Sequence, residues 1–384
     1  MTRMKIGFDA KRAAQNRTGL GNYSRFVLRI LSQAEPQNEY HLYIPRAARM
    51  PFIGEIPTLP DLHLHFPQAG LWRRLPSLWR VWGVTHDAGR DAIDIFHGLS
   101  NELPLNIRRA GCKSVVTIHD LIFLRYPQYY KPIDRAIYNC KFRRACENAD
   151  RVIAVSEFTK REIMRCYGTP EEKIDVVYQG CDPAFAQDIA QDKLDDVRRR
   201  YSLPERFVLY VGSIEERKNL MLVADALAAM REQWPEAFAG VHVVAVGRRT
   251  PYVGRIAARL RESGLDGRFS FCHNVPFADL PAFYRLATAF VYPSRIEGFG
   301  IPMLEAISAG LPAIGCTGSC LEEAGGPGSL YVSPDDALEM AGAIGRVLTD
   351  EALRRRMAEE GRRHALNFTD ERLCADLMAV YGKL

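Results

Sequence analysis

Two glutamates, Glu297 and Glu305, close the ends of the segment EGFGIPMLE, which follows the apolar run AFVYPS. Gly298 and Gly300 between them lack a Cβ and let backbone come close to a ligand. Pro302 suits the first position of a helix, where its missing N–H would be unpaired anyway, and Gly310 suits the end. The spacing predicts a helix over Pro302–Ala309, with Glu297 in the loop before it and Glu305 about one turn inside. A helix N-terminus offers free N–H groups and a positive dipole end, which suits a phosphate. One carboxylate is then placed for a sugar and the other for the ribose of the same nucleotide sugar. A Gly-rich turn with a solvated glutamate explains the bare spacing equally well. Phe299, Pro302, Ala306 and Gly310, all in register with it, favour the functional reading.

Three further segments carry the right chemistry. In GSIEERKN, Gly212–Asn219, Arg217 and Lys218 are expected at the start of the helix after the strand FVLYV. Cations there oppose the helix dipole and make better sense beside an anion; a forked guanidinium and a compact ammonium both suit a diphosphate. In NRTGLGNY, Gly19 and Gly21 are expected in a loop after the first strand, close to phosphate or sugar, with Thr18 capping the next helix. Ser24 stands where the third glycine of a dinucleotide fingerprint belongs, so a dehydrogenase is disfavoured. His119 and Asp120 end the strand SVVTI, the imidazole placed for a donor hydroxyl and Asp120 to orient it or to help the acceptor.

Weaker features are Arg248 and Arg249 after VHVVAVG, and Tyr126, Tyr129 and Tyr130 beyond His119. Leu71–Gly83 (LWRRLPSLWRVWG) holds three of the four tryptophans. It reads as a helix on the sheet with its arginines outward, or as an amphipathic face for anionic lipid.

Strand-like and helix-like runs alternate along the whole chain. Met4–Asp9, Tyr40–Ile44, Ile93–His97, Ser114–His119 and Arg151–Ser156 read as strands of one parallel sheet. Phe207–Gly212, Val241–Gly247, Phe269–Cys272 and Ala289–Pro293 read as strands of a second. The Gly, Pro and Asp-rich stretch Gln179–Gln187 separates them. The expected fold class is α/β, two doubly wound Rossmann-like domains facing across a cleft. Residues 1–185 form the first, with 368–384 packing back onto it, and residues 186–367 form the second. The motifs all fall at carboxyl ends of strands, where open α/β sheets bind ligands.

Composition agrees and excludes little. The 384 residues are 47% hydrophobic and 25% charged, ordinary for a globular chain, and the net charge of +5 is too modest for a nucleic-acid binder. The nine cysteines have no metal-ligand spacing, and no run approaches the roughly 20 apolar residues of a spanning helix. The opening MTRMKIGFDAKRA does not read as a signal peptide, so a cytoplasmic location is expected, with peripheral membrane contact as a variant.

Taken together, these motifs resemble the retaining GT-B glycosyltransferases of family four, the group-1 glycosyltransferases. The likeness extends to ADRVIAVSEFTKREI (Ala149–Ile163) and to YQGCDP (Tyr178–Pro183), where Gln179 replaces the usual Asn. The opening IGFDAKRAAQNRTGLGNYSR resembles bacterial mannosyltransferase-type members acting in polysaccharide synthesis. The resemblance implies a nucleotide-diphosphate sugar as donor, with GDP-mannose favoured, and a saccharide or lipid-linked acceptor. Glu297 would contact donor-sugar hydroxyls and Glu305 the ribose. Backbone at Phe299, Gly300 and Ile301 would hold sugar and phosphate, with Gly212 behind them. Arg217 and Lys218 would neutralise the leaving diphosphate, Gly19 and Gly21 approach it, and His119 touch the donor sugar. Phe368–Tyr381 would be the helix that returns to the first domain.

No DxD-like motif stands at a strand end, so no cofactor or metal is expected in the transfer step. Retention would follow same-face attack, the leaving phosphate taking the acceptor proton, with Glu297 the one side chain to test as a nucleophile. A nucleotide-sugar-binding protein without transfer activity and a sugar-nucleotide epimerase of the same fold remain alternatives.

Overall fold

Val208–Val211 and Val243–Val246 carry no charged residue and are wholly buried, as strands must be when helices cover both faces of a parallel sheet. The computed structural model describes residues 3–58, 60–68 and 70–384. The chain divides into two units, Met1–Gly180 with Thr369–Leu384, and Cys181–Phe368. The division falls inside the Gln179–Gln187 turn segment.

The first unit holds β1 (Lys5–Asp9), β2 (Glu39–Tyr43), β3 (Leu62–His65), β4 (Ile95–Gly98), β5 (Lys113–Ile118), β6 (Arg151–Ala154) and β7 (Ile174–Val176). They run parallel in the order β3-β2-β1-β4-β5-β6-β7. The second holds β8 (Val208–Val211), β9 (Val243–Val246), β10 (Phe269–Cys272), β11 (Ala289–Tyr292), β12 (Ala313–Cys316) and β13 (Leu330–Val332), in the order β10-β9-β8-β11-β12-β13. Strand order therefore reverses at β1/β4 in one sheet and at β8/β11 in the other. Connections diverge at such a switch point and leave a crevice beyond the carboxyl ends.

Four strands, β3, β7, β12 and β13, lie outside the sequence expectation. β3, β7 and β13 are sheet edges of three or four residues with much of their length open to solvent. LHLH and IDV are interrupted by polar residues, and LYV is only three residues long, too short to stand out as a run. β12 is buried but only four residues long, AIGC.

Local signals set the helices. Ser156 caps Glu157–Tyr167 by accepting from Thr159 N at 3.0 Å, and Gly168, at φ +63°, ends it in the left-handed region. The last helix, Asp370–Tyr381, belongs to the first unit. Arg29 forks onto Asp370 at 2.5 and 3.1 Å, and Tyr381 Oη lies 2.7 Å from His97 Nδ1. Phe368 stays with the second unit, its ring 5.5 Å from Phe299 and 5.2 Å from His364.

Leu71–Gly83 is neither one helix nor a face with all its arginines outward. Pro76 starts a new turn after Gly70–Arg74, and a π turn, Trp79–Gly83, follows. Trp79 is buried, its indole N–H donating to Asp87 at 2.7 Å. Arg80 turns inward, with Nε 2.7 Å from Asp9 at the end of β1 and Nη1 2.7 Å from Glu102. This ties the segment to the β1/β4 switch point.

Removing the cation alone strands two screened carboxylates, leaving Glu102 only Lys141 and Asp9 only the backbone N–H of Lys11 at 3.3 Å. Arg80→Met is expected to lower the urea-unfolding free energy by about 3 kcal/mol. The exposed Arg74→Met should change it by less than about 0.5 kcal/mol. Equal losses would show that the Arg80 bridge contributes nothing specific.

Candidate active site

The loops after β8 and β11 meet at the second unit's switch point. Arg217 and Lys218 lie in a 3-10 turn, Glu216–Lys218, three residues before the helix Met221–Gln233, not at that helix's first turn as the sequence suggested. Asn219, at φ +56°, ends the turn, and its Nδ2 donates to Pro334 O at 2.8 Å. The Arg217 carbonyl accepts from Arg295 N at 3.1 Å, and Arg217 Nη1 donates to Ile296 O at 2.7 Å, so the two loops are fastened together.

That fastening delivers Glu297 to the cations. Its Oε1 receives Lys218 Nζ and Ser294 Oγ at 2.5 Å each, and Tyr292 Oη at 3.2 Å, with Arg217 Nη1 also at 3.2 Å. Burial pushes the carboxyl up, but Lys218 and Arg217 pull it further down, to about 2. Burial draws the Lys218 ammonium below its ordinary value against the pull of Glu297. Glu297 is thus a carboxylate at neutral pH, with two basic side chains, Arg217 and Lys218, against its one oxygen. Glu215 turns outward, to Arg248 at 3.4 Å.

Glu305 has the opposite surroundings. It sits inside the helix Ile301–Ser308, where Tyr284 Oη donates to Oε2 at 2.6 Å. Burial raises its carboxyl to about 7, with Asp182 adding to the rise. Pro302 is the second residue of this helix, since Ile301 starts it. Gly300 precedes it at φ +102°, and a Cβ there would meet Leu321 Cδ2 at 2.6 Å, so only glycine serves. No side chain caps this N-terminus and no acidic residue stands in its first turn. The end open to an anion is thus the one next to Phe299 and Gly300. Gly212 ends β8, its N–H on Val246 O at 3.0 Å. Gly247 passes so close that a Cβ there would lie 1.9 Å from the Gly212 carbonyl.

In the first unit, Gly19 and Gly21 are corrected from loop to helix, since Gly19–Ala34 begins with them. A Cβ on Gly21 would lie 1.9 Å from the Asn16 carbonyl, so this glycine is required by the fold itself, whereas a Cβ on Gly19 would meet nothing within 4 Å. Thr18 precedes the helix without a side-chain cap; its hydroxyl donates to Asn16 Oδ1 at 2.5 Å.

His119 follows β5 and is buried. Nε2 lies 2.9 Å from the Leu99 carbonyl and Nδ1 3.1 Å from Gln179 Nε2. A carbonyl only accepts and an amide NH2 only donates, so the ring is neutral with its proton on Nε2. Burial lowers its pKa to about 4. Leu99 and Gln179 thus orient the imidazole, and Asp120 Oδ1 accepts from Ile122 N at 3.1 Å. Arg248 and Arg249 are exposed, and Tyr126 stacks on Tyr129 at 5.9 Å.

The sequence missed Tyr292, Ser294, Tyr284 and Gln179. Each is a polar group inside or beside an apolar run, which periodicity reads as core. It also missed two buried hydroxyls without a hydrogen-bond partner, Ser100 after β4 and Ser319 after β12. Both stand beyond strand carboxyl ends. A cavity of about 710 Å³ is lined by Met4, Asp94, Lys113 and Asp150 at the amino ends of the first sheet, away from every motif above.

Two doubly wound sheets, with Arg217, Lys218 and Glu297 clustered at a switch point, define the class of open α/β proteins whose ligands sit beyond strand carboxyl ends. Comparison with known families makes this specific. Residues 195–364 match the family described as glycosyl transferases group 1, and residues 24–185 match glycosyltransferase family 4. The chain belongs to this family of retaining GT-B glycosyltransferases. It is similar to O-antigen chain mannosyltransferase B of Escherichia coli, 29% identical over 99% of this chain and 100% of that protein. It is 28% identical to a D-inositol 3-phosphate glycosyltransferase of Salinispora tropica, over 95% of this chain and 81% of that one. Among solved structures, Anabaena HepE in complex with UDP and glucose superposes with a TM-score of 0.76 at 17% identity, over 100% of both chains. WaaG, a glycosyltransferase involved in lipopolysaccharide biosynthesis, gives 0.70 at 16%, over 98% of this chain and 99% of that one.

Glu297→Gln removes the only carboxylate from a buried cluster of two cations. The unfolding free energy at pH 7 should fall by about 3 kcal/mol. Because the folded carboxyl titrates near 2, below its ordinary value of 4.5, this stabilisation is present above about 4.5 and is lost as pH falls towards 2. Urea unfolding of both proteins from pH 7 to pH 3 should therefore show a gap that narrows only below about 4.5. A gap constant with pH would contradict the ion pair.

Proposed function

We propose that the second unit holds the donor, a nucleotide-diphosphate sugar, at the β8/β11 switch point, and that a hexose passes to a saccharide or lipid-linked acceptor with retention. The buried Arg217–Lys218–Glu297 cluster carries this reading. Desolvated cations in excess of carboxylate favour an anion. Breaking the anomeric C–O bond places negative charge on the diphosphate, where Arg217, Lys218 and the N–H groups before Met303 stabilise it. Glu297 holds both cations in place and takes donor-sugar hydroxyls; Glu305 takes the ribose. Gly212, Phe299, Gly300 and Ile301 supply close backbone. From the first unit we assign Gly19 and Gly21 to the diphosphate, His119 after β5 to the donor sugar and Asp120 to the acceptor.

Mannose from GDP-mannose is the donor we assign, and polysaccharide synthesis the setting. The mannosyltransferase names of the Escherichia coli relative and of the Salmonella typhimurium O-antigen relative, 28% identical over 60% of this chain, support both. We place the enzyme in the cytoplasm, with peripheral contact at the inner face of the membrane. Exposed Leu71, Leu75, Leu78 and Trp82 beside Arg73 and Arg74 support that contact. No described helix is long and apolar enough to cross a membrane.

Calorimetric titration with GDP-mannose, GDP, UDP-glucose and UDP tests the site. One nucleotide family should bind, with at least about tenfold loss in Lys218→Ala. Binding indifferent to Lys218 would remove the donor assignment, and binding of the UDP family alone would remove mannose from GDP-mannose. Anomeric configuration of the product, read by NMR, tests retention in the same preparation.

Glu305 adds a pH dependence. Its carboxyl stands near 7 in the free protein, and ribose hydroxyls donating to it favour the charged form, so binding releases a proton. Donor affinity should rise with pH up to about 7 and level off above it, and Glu305→Gln should flatten the profile. An identical profile in the variant would show that ribose does not contact Glu305.

A further inference from the structure

The edge of the first sheet carries a histidine cluster that the transfer chemistry does not use. β2 and β3 pair in parallel with His41 opposite His63 and Tyr43 opposite His65. Side chains alternate along a strand, so Glu39, His41, His63 and His65 all stand on one face. On the other side, β2 pairs with β1 so that Gly7 lies opposite His41, which leaves the ring room.

These groups form a line with a carboxylate at each end. Glu39 Oε1 lies 3.0 Å from His41 Nε2, and His41 Nδ1 lies 2.8 Å from His65 Nε2. His65 Nδ1 then faces Asp91 Oδ2 at 3.2 Å. Each of the three contacts needs one hydrogen or one cation between its atoms. Two neutral imidazoles bring only two hydrogens. With those on His41 Nδ1 and His65 Nδ1, the His41–His65 and His65–Asp91 contacts are proper hydrogen bonds. Two lone pairs are then left face to face between His41 Nε2 and Glu39 Oε1. A third ring joins them there, since His63 Nε2 lies 3.6 Å from the same Glu39 oxygen.

We propose that Glu39 Oε1, His41 Nε2 and His63 Nε2 bind one zinc ion, a clamp holding edge strand β3 to β2. Ligand atoms on a tetrahedral zinc stand about 3.3 Å apart, given bonds of about 2.0–2.1 Å, and the 3.0 and 3.6 Å separations bracket that value. Two imidazoles and a carboxylate suit zinc, with water in the fourth position. The line His41–His65–Asp91 is then its supporting shell, since a ligating histidine donates its other N–H to a group that fixes its tautomer. Access is open, because His63 is exposed while His41 is buried. Arg3 pairs with the other Glu39 oxygen, Oε2, at 3.3 Å. Lys5 Nζ, 3.7 Å from Oε1 and exposed, is the cation zinc would displace. None of these residues takes part in the transfer reaction proposed above.

The test uses the full chain without a polyhistidine tag, stripped with a chelator. It is titrated with Zn2+ calorimetrically and with Co2+ by visible absorption. One equivalent should bind, the Co2+ spectrum should show the intensity of four-coordination, and Zn2+ should raise the thermal midpoint. His63→Gln, at an exposed position, should abolish the midpoint shift and the Co2+ spectrum. His65→Gln should weaken Zn2+ about 10–100-fold through the lost support. His86→Gln, an exposed histidine elsewhere in this unit, should change nothing. Binding weaker than on the order of 100 µM, or binding equal in His63→Gln and the parent, would overturn the site. GDP-mannose titration of His63→Gln should match the parent, so failure here and failure of the donor assignment are read separately.

Discussion

Three charges held out of water, Arg217, Lys218 and Glu297, impose the tightest constraint on the second unit. Each would be costly to bury alone, and together they are tolerable only at hydrogen-bond distance. That distance exists because β8 and β11 are neighbours in the sheet although Lys218 and Glu297 stand 79 positions apart in the chain. It also exists because the Arg217 carbonyl and guanidinium fasten one loop to the other. The parallel order, the 3-10 turn and the left-handed Asn219 are each needed to bring Lys218 Nζ to Glu297 Oε1. The surplus positive charge is a property of this arrangement, since Glu215 and Glu216 turn to Arg248 and Arg255, and Arg295 to Asp335, away from the cluster.

Two carboxylates of one short segment are thereby driven apart. Glu297, beside two cations, is held near 2, and Glu305, beside a tyrosine and an apolar helix face, rises to about 7. Burial pushes both upward; only the first has counter-charges strong enough to reverse it. Divergent values from neighbouring carboxylates mark separate tasks. A permanently charged Glu297 serves to hold cations, and a Glu305 poised near neutrality responds to what donates to it.

The legible part of this fold was its alternation. The central strands are continuous apolar runs, and the motifs stood at their carboxyl ends, so two doubly wound sheets could be read from the chain. The edge strands could not, because Leu62–His65 reads as alternating polar residues and buries little. In the site, residue types were legible and partners were not. Gly21 looks like a phosphate-loop glycine, yet its own backbone at Asn16 already demands it. Arg80 looks like one arginine of a basic surface, yet it is the counter-ion of Asp9, 71 positions away. Pairings across that separation depend on strand order, which composition and periodicity do not carry.

His119 shows what such a pairing changes. As a histidine ending a strand it suggests a general base, but the Leu99 carbonyl and the Gln179 amide occupy both ring nitrogens and burial holds it near 4. A neutral ring with a committed proton neither takes nor gives one readily at pH 7; it presents shape, packed edge-on against Tyr23 at 4.6 Å. Glu297 is no better a base, since Lys218 and Arg217 hold its carboxyl near 2. With these two groups held in one protonation state, the strongest base near the reacting centre in the proposed transfer is the departing diphosphate. Its oxygens gain charge as the anomeric bond breaks, on the face from which a retaining attack must come. In that proposal the protein's part is to hold the oxygen with Arg217 and Lys218 and to offer no competing base of its own.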